Sequence, residues 1–379
     1  MAKRKNINRI IFVVLIFIAY FFIGARPIPR ETVLAARWIS SIENESPAAE
    51  QIHEQLHQQM PLTPFTLGSR FGYVDTSGQF AMNQIRTGEI FLCENHWVQH
   101  DAQPSIIEIM NTAGQTVLSF DSLRGYPILL DNRIFLLGSD QNKLSEIDTG
   151  GNVIWTFEFG APLTTIDVAA GLVLTGSLDG IVEILDSQGR RIFHLEPGGS
   201  RYSVILGSAF SRDGMRFGII SGIDQQRFIL LERTGSGFEY QIVHHEFLGE
   251  GFRRPVRISF IDNDQRIVFE RLGGIGSYAI RSRQSIFIPI DGEIAAMDES
   301  GYMGFFFLVN SLAFQHKELI GIKFPAHRFF PFFRNRQNMR DTIFIRAPFF
   351  SEDVFLNRSD STLIVGGGTT LVSFELEER

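Results

Sequence analysis

The apolar positions of this chain fall into short runs of β-branched and aromatic residues, broken by Gly, Asn, Asp and Ser, and the arrangement returns at a near-constant spacing. Ile107-Glu-Ile-Met-Asn-Thr-Ala-Gly-Gln-Thr-Val-Leu-Ser-Phe120 is followed 37 residues on by Leu144-Ser-Glu-Ile-Asp-Thr-Gly-Gly-Asn-Val-Ile-Trp-Thr-Phe157. It returns 38 further on as Val182-Glu-Ile-Leu-Asp-Ser-Gln-Gly-Arg-Arg-Ile-Phe-His-Leu195. Each copy reads as a strand, a tight turn and a second strand, because apolar alternation with β-branched residues marks half-buried strands. Asn111, Asp148 and Asp186 have side chains short enough to hydrogen-bond the backbone two residues on, and Gly114, Gly151 and Gly189 supply the positive φ that closes the hairpin. Upstream, Leu136-Leu-Gly-Ser-Asp140 and Leu174-Thr-Gly-Ser-Leu-Asp-Gly180 repeat as the end of one strand and the turn into the next.

Four strands per repeat at a period of ~40 predict an all-β chain built as a β-propeller of four-stranded blades. Blade elements are expected at 85–120, 126–158, 162–196, 202–247, 255–290 and 294–334. A final unit at 341–376 is expected to pair with a strand pair around 71–80, so that the two ends of the chain close the ring and remove exposed sheet edges. This makes seven blades, with eight as the alternative because the later units are longer and irregular. Gly72-Tyr-Val-Asp-Thr-Ser-Gly-Gln-Phe80 has the hairpin pattern of the other copies.

The stretch Gly-Leu-Val-Leu-Thr-Gly-Ser-Leu-Asp-Gly-Ile-Val-Glu-Ile-Leu-Asp-Ser-Gln-Gly-Arg-Arg-Ile-Phe-His-Leu-Glu over 171–196 resembles a blade of the PQQ-like, quinoprotein-type propeller repeats. Ser208-Ala-Phe-Ser-Arg-Asp-Gly-Met-Arg-Phe-Gly-Ile-Ile-Ser-Gly222 resembles the Ser-x-Asp-Gly element of WD40-like blades. The resemblance runs over roughly 105–235 and implies the fold; both families host unrelated functions. PQQ-like repeats also build the propeller component of outer-membrane protein assembly machinery, which is usually a lipoprotein, and this chain has no lipobox cysteine after its apolar segment.

That segment gives the topology expectation. Lys3, Arg4, Lys5 and Arg9 precede an uncharged stretch at 10–24, which is followed by Arg26. Fifteen helical residues rise about 23 Å, short of a ~30 Å hydrocarbon core unless flanking arginines snorkel. Residues 1–25 are read as an uncleaved signal anchor, with a cleaved secretory signal as the rival. Residues 26–64 are read as a membrane-proximal linker, helical over 32–41 and 43–59 and stopped by Pro61 and Pro64, and 65–379 as the propeller. The expected location is the cytoplasmic membrane, single-pass, with the propeller on the extracytoplasmic side.

Charge and residue usage narrow the function. The net charge is −7, and the part beyond the four basic N-terminal residues stands at −11, which gives a nucleic-acid role no electrostatic support. With one cysteine, Cys93, no internal disulfide forms, and the vicinal cysteine pair of quinoprotein dehydrogenases is excluded. No cofactor is expected. His53-Glu-Gln-Leu-His57 matches the His-Glu-x-x-His zinc pattern but carries no third ligand at metzincin spacing, so it reads as a solvated helix. Cys93, His96 and His100 lie at spacings that fix no common face outside a helix, and His244 and His245 on one strand point to opposite faces, so no metal site is expected. Asp167, Asp213, Asp262 and Asp264 could ring one face of the propeller.

The candidate partner surface is the stretch Phe324 to Arg340. There Arg328, Phe329, Phe330, Phe332, Phe333, Arg334, Arg336 and Arg340 interleave aromatic rings with guanidinium groups. Arg253, Arg254 and Arg257 form a second basic cluster, expected on a neighbouring loop. The functional expectation is a membrane-anchored, non-catalytic scaffold that binds an envelope protein. An envelope hydrolase with paired carboxylates in the central pocket is one alternative, and a small-ligand sensor is another.

Overall fold

The computed structural model describes residues 12–17, 32–43, 61–101, 106–121, 125–235, 237–301, 304–324, 342–359 and 361–378. Two compact units separate: residues 36–375, and a small unit of 1–35 with 376–379. In the small unit, residues 12–17 are helical. Among the described residues no helix is long and apolar enough to cross a membrane, and most of the expected anchor lies outside them. His53 and His57 also lie outside the described residues.

The larger unit is a ring of eight antiparallel sheets, seven of four strands and one of three among the described residues. In chain order the blades occupy 62–85, 89–121, 126–158, 163–195, 205–249, 258–289, 293–350 and, from residue 354, the C-terminal strands up to 375, the last completed by residues 36–41 of strand Thr32–Ser41. The ring therefore has eight blades rather than seven, and two differences from expectation explain the count. The hairpin at 71–80 belongs to a blade of its own, the first. Closure instead comes from Thr32–Ser41, expected as helix, which is the outer strand of the last blade. Its sequence Thr-Val-Leu-Ala-Ala-Arg-Trp-Ile-Ser-Ser has helix formers in the middle, but pairing with the C-terminal strand overrides that weak preference. The seventh blade also departs from expectation: its outer strand is Ile343–Phe350, beyond a segment at 325–341 outside the described residues.

The repeated turn is built as its residue types dictate. Asp75, Asn111, Asp148 and Asp186 each accept backbone N–H bonds from the residues two and four positions on, at 2.8–3.0 Å. Gly78, Gly114, Gly151 and Gly189 adopt positive φ at the same offset, and each donates its N–H to the carbonyl of the same Asx residue. These turns join the third and fourth strands of blades two to four, so the three described strands of blade one are its second, third and fourth. The Asn152 amide, with the Asn152 side chain, holds the Asp148 carboxyl below its ordinary range.

The core lies between blades. Phe228 and Leu230 pack into a cluster with Ile267, Phe269 and Tyr278 of the sixth blade, while Ile229 and Leu231 pack into another with Leu174 and Ile184 of the fourth. One strand thus feeds two interfaces by the period-two alternation of its side chains. This is why Phe-Ile-Leu-Leu runs apolar without a break. Phe228 and Phe269 stack across their interface at 4.5 Å between centroids.

Tryptophans lock turns of the next blade. The Trp155 ring lies where a Cβ on Gly189 would stand 2.6 Å away, and Trp38 covers Gly78 in the same way. Trp155 cannot retreat: its indole N–H donates to Glu146 Oε2 at 2.6 Å, and Glu146 is held by two bonds from Arg133. Gly189→Ala should therefore destabilise by about 3 kcal/mol, combining left-handed strain with overpacking. Gly171→Ala, at φ +80° with nothing within 4 Å, should cost about 1 kcal/mol. Denaturant midpoints of the two variants check this; equal losses would show that Trp155 yields freely.

Candidate functional site: an acidic cavity at the centre of the ring

The inner strands run in one direction, so their C-terminal ends converge on one face of the ring. Asp167, Phe210, Phe260, Met297 and Ser359 sit at or near those ends and line a cavity of about 1170 Å³. Blade one contributes the opposite end of its strand, Leu62 to Pro64, as a second strand running the other way must. Turn residues Glu94, Asn95, Arg212, Asp264, Glu299 and Ser300 complete the wall.

Four of these are carboxylic acids, and desolvation pushes three of them, Asp167, Asp264 and Glu299, upward. Asp167, half-buried, is raised to about 6 by desolvation; the carboxylates of Glu299 and Asp131 add to this, against two backbone N–H bonds that favour its charge. Those bonds come from Phe210 at 2.6 Å and Val168 at 2.9 Å, the first crossing to the next blade. Glu299 opens onto the cavity, and desolvation by the surrounding walls raises it, with Arg257 opposing and Asp298 adding. Asp264 is raised by burial against the amide of Arg212, which donates to its Oδ2 at 3.0 Å. At the cavity wall Arg358 is fully buried on Asp298 at 3.2 Å and donates to the Phe305 carbonyl, an ion pair the fold consumes.

Of the acids expected to ring one face, Asp167 and Asp264 therefore meet in the cavity. Asp213 sits in the Ser211-Arg-Asp-Gly214 turn, accepting from the Ser211 hydroxyl and the Met215 amide. Asp262 accepts from the Gly304 amide of the next blade. Glu299 was not singled out by sequence; its position just after the inner strand Glu293–Met297, matching Asp264 after Ile258–Ile261, was the available signal.

The other candidate residues are dispersed. Cys93 donates to the His96 carbonyl at 3.3 Å, while His100 is buried between Phe91 and Tyr126 with Nδ1 on the Asp101 carbonyl at 2.6 Å. His244 stacks on Tyr278 and His245 contacts Phe247. Among the described residues no group of three His, Cys, Asp or Glu could hold a metal. Arg254 makes paired contacts with the buried Glu270 at 3.0 and 3.1 Å and reaches Glu293 at 3.3 Å. Arg257 caps the carbonyls of Ile294 and Ala295, and Arg253 is exposed. Arg328, Phe329, Phe330, Phe332, Phe333, Arg334, Arg336 and Arg340 lie outside the described residues.

A raised carboxyl pKa means the folded state holds its proton more tightly than the unfolded chain. Stability from Asp167 is then complete below the ordinary carboxylate range and lost as pH rises through about 6, and Glu299 and Asp264 act in the same direction. Glu299→Gln should lower the Asp167 pKa and shrink the loss of thermal stability between about pH 4 and pH 6.5. Carboxyl NMR titration together with melting temperature against pH checks this; an unmoved Asp167 would show that the two groups do not interact.

Comparison with known proteins agrees with the architecture. A curated relative from Treponema pallidum (strain Nichols), described as an uncharacterized protein, is 26% identical over 196 residues, 48% of this chain and 49% of the relative. The match thus spans about half the length of that relative. Among solved structures, BamB from Moraxella catarrhalis matches with TM-score 0.55 at 11% identity, over 90% of this chain and all of that one. Saccharomyces cerevisiae Sqt1 matches at 0.57 and 10% identity, covering 84% and 93%, and the computationally designed Ika8 protein at 0.56 and 14%, covering 84% and 96%. At such identities the likeness is one of fold. A family model described as beta-propeller protein matches residues 1–379, and the chain belongs to that family.

Proposed function

We propose that this propeller is a non-catalytic protein-binding module whose central cavity receives a basic segment of its partner. The observation that carries the reading is the cavity itself. At about 1170 Å³ it exceeds the ~300–1,000 Å³ of small-molecule sites, and its wall gathers Asp167, Asp264 and Glu299 on a chain of net charge −7. A cation brought among carboxylates whose charged forms desolvation penalises stabilises those charged forms, so charge complementarity selects a lysine- or arginine-bearing loop. The PQQ-like and WD40-like character of the repeats belongs to the same reading. So does location: the basic residues before the uncharged stretch at 10–24 support a membrane anchor with the propeller outside the cytoplasm and an envelope protein as partner.

In-cell cross-linking of the full-length chain, followed by affinity purification, should recover one partner at near-stoichiometric yield. Asp264→Asn combined with Glu299→Gln should reduce that yield about tenfold without lowering the melting temperature. Recovery that ignores both substitutions would remove the cavity from the interaction.

A second reading, an envelope hydrolase, is favoured by one observation: Asp167, at about 6, shares a concave site with Glu299 and Asp264, as an acid–base pair requires. On that reading Asp167→Asn abolishes turnover of a glycoside or ester substrate while leaving the fold intact. A panel of chromogenic substrates showing the same background rate for both proteins would dismiss it.

A further inference from the structure

A second recess lies on the opposite face of the ring, between the sixth and seventh blades. Its walls include Glu293 to Ala295, the start of the inner strand whose far end, Met297, lines the central cavity. Arg254 and Arg257 form one side, and Ser311 and Lys317 the other, around about 570 Å³. Three cations here meet two carboxylates, Glu270 and Glu293; both engage Arg254, and Glu270 also lies 3.8 Å from the Arg257 guanidinium, which leaves Lys317 as the cation without a carboxylate among the described residues. Lys317 is 7% exposed, yet among the described residues its ammonium meets only neutral oxygens, the Ser311 hydroxyl at 2.8 Å and the Phe314 carbonyl at 3.0 Å. An ammonium has three protons to donate, so one is left for an incoming acceptor. A buried cation without a counter-charge is costly, and an arriving carboxylate removes that cost.

Ser311 and Lys317 also bracket a turn that projects apolar side chains. Leu312 is 54% exposed and Phe314 76%; Phe350, 75% exposed, lies against the His316 ring at 4.6 Å. Large apolar side chains gathered this way mark a contact surface. Their neighbour is a cationic recess on an otherwise acidic molecule.

We infer that this rim docks an extended acidic segment of a partner protein. A carboxylate side chain of that segment enters the recess between Lys317 and Arg257, and the apolar residues beside it cover Leu312, Phe314 and Phe350. A membrane surface fits less well, because the ammonium is recessed where a side-chain carboxylate reaches and a headgroup in the plane of a bilayer does not. The inference rests on the reading of this propeller as a protein-binding module, adding a second site of opposite charge preference.

The test uses the full-length chain in its own cells, with a photo-cross-linking residue at Phe314 and, separately, at exposed Ile154 on the third blade. The expected product at 314 is a partner peptide holding an Asp or Glu next to an apolar residue. Its yield should fall about tenfold in Lys317→Met. Leu312→Ser with Phe350→Ser, both surface changes, should lower it comparably should Lys317→Met fail to fold. Products at 314 that are lipid, this chain itself or a peptide without carboxylates would overturn the inference, as would a yield indifferent to these variants. Cross-links from 154 with none from 314 sink this site while the binding-module reading stands; none from either position counts against both.

Discussion

Apolar contact between neighbouring blades is the interaction on which the rest of this molecule depends. Each described cluster of the ring draws its residues from two adjacent sheets; none belongs to one blade. A single four-stranded sheet here has two apolar faces and cannot bury either alone, so a blade is stable only between neighbours. The first and last blades meet in the cluster of Phe65, Leu67, Val74, Ile364 and Leu371, with Trp38 of the closing strand packed against it. Closure is therefore a hydrophobic contact like the others, reinforced by a strand exchanged between the chain ends.

Once the blades are packed, polar groups are pushed to the two faces and the axis, and the two faces differ. On one, the ends of the inner strands converge, and like charges that are distant in sequence become neighbours across the cavity. Burial then holds Asp167, Asp264 and Glu299 above the ordinary carboxylate range. On the other, Arg254, Arg257 and Lys317 surround a recess between two blades. An acidic cavity on one face and a cationic recess on the other are the two surfaces of opposite charge on which the proposed binding role rests.

Several residues that attract attention as ligands serve packing instead. His100 fills an aromatic interior, His244 stacks on Tyr278, and the Cys93 thiol bonds a backbone carbonyl. Glu146 ties Arg133 to Trp155, and Trp155 fixes the turn of the next blade, so this carboxylate acts on the register between blades.

By itself the sequence determined the repeat and its chemistry. The Asx and Gly offsets at Asn111, Asp148 and Asp186 prescribe the turn that forms, since side-chain-to-backbone bonds two and four residues away are local. Blades at 126–158 and 163–195 follow directly, and the apolar runs fix strands buried on both faces. Thr32–Ser41 was illegible for the opposite reason: its local preference is weak, and its strand form exists only because the last blade offers it an unpaired edge. The count of eight depended on that same long-range pairing. The convergence of Asp167 with Glu299, and of Arg257 with Lys317, was likewise decided only by tertiary structure. Their separation along the chain carries no information about which ends of which strands the ring brings together.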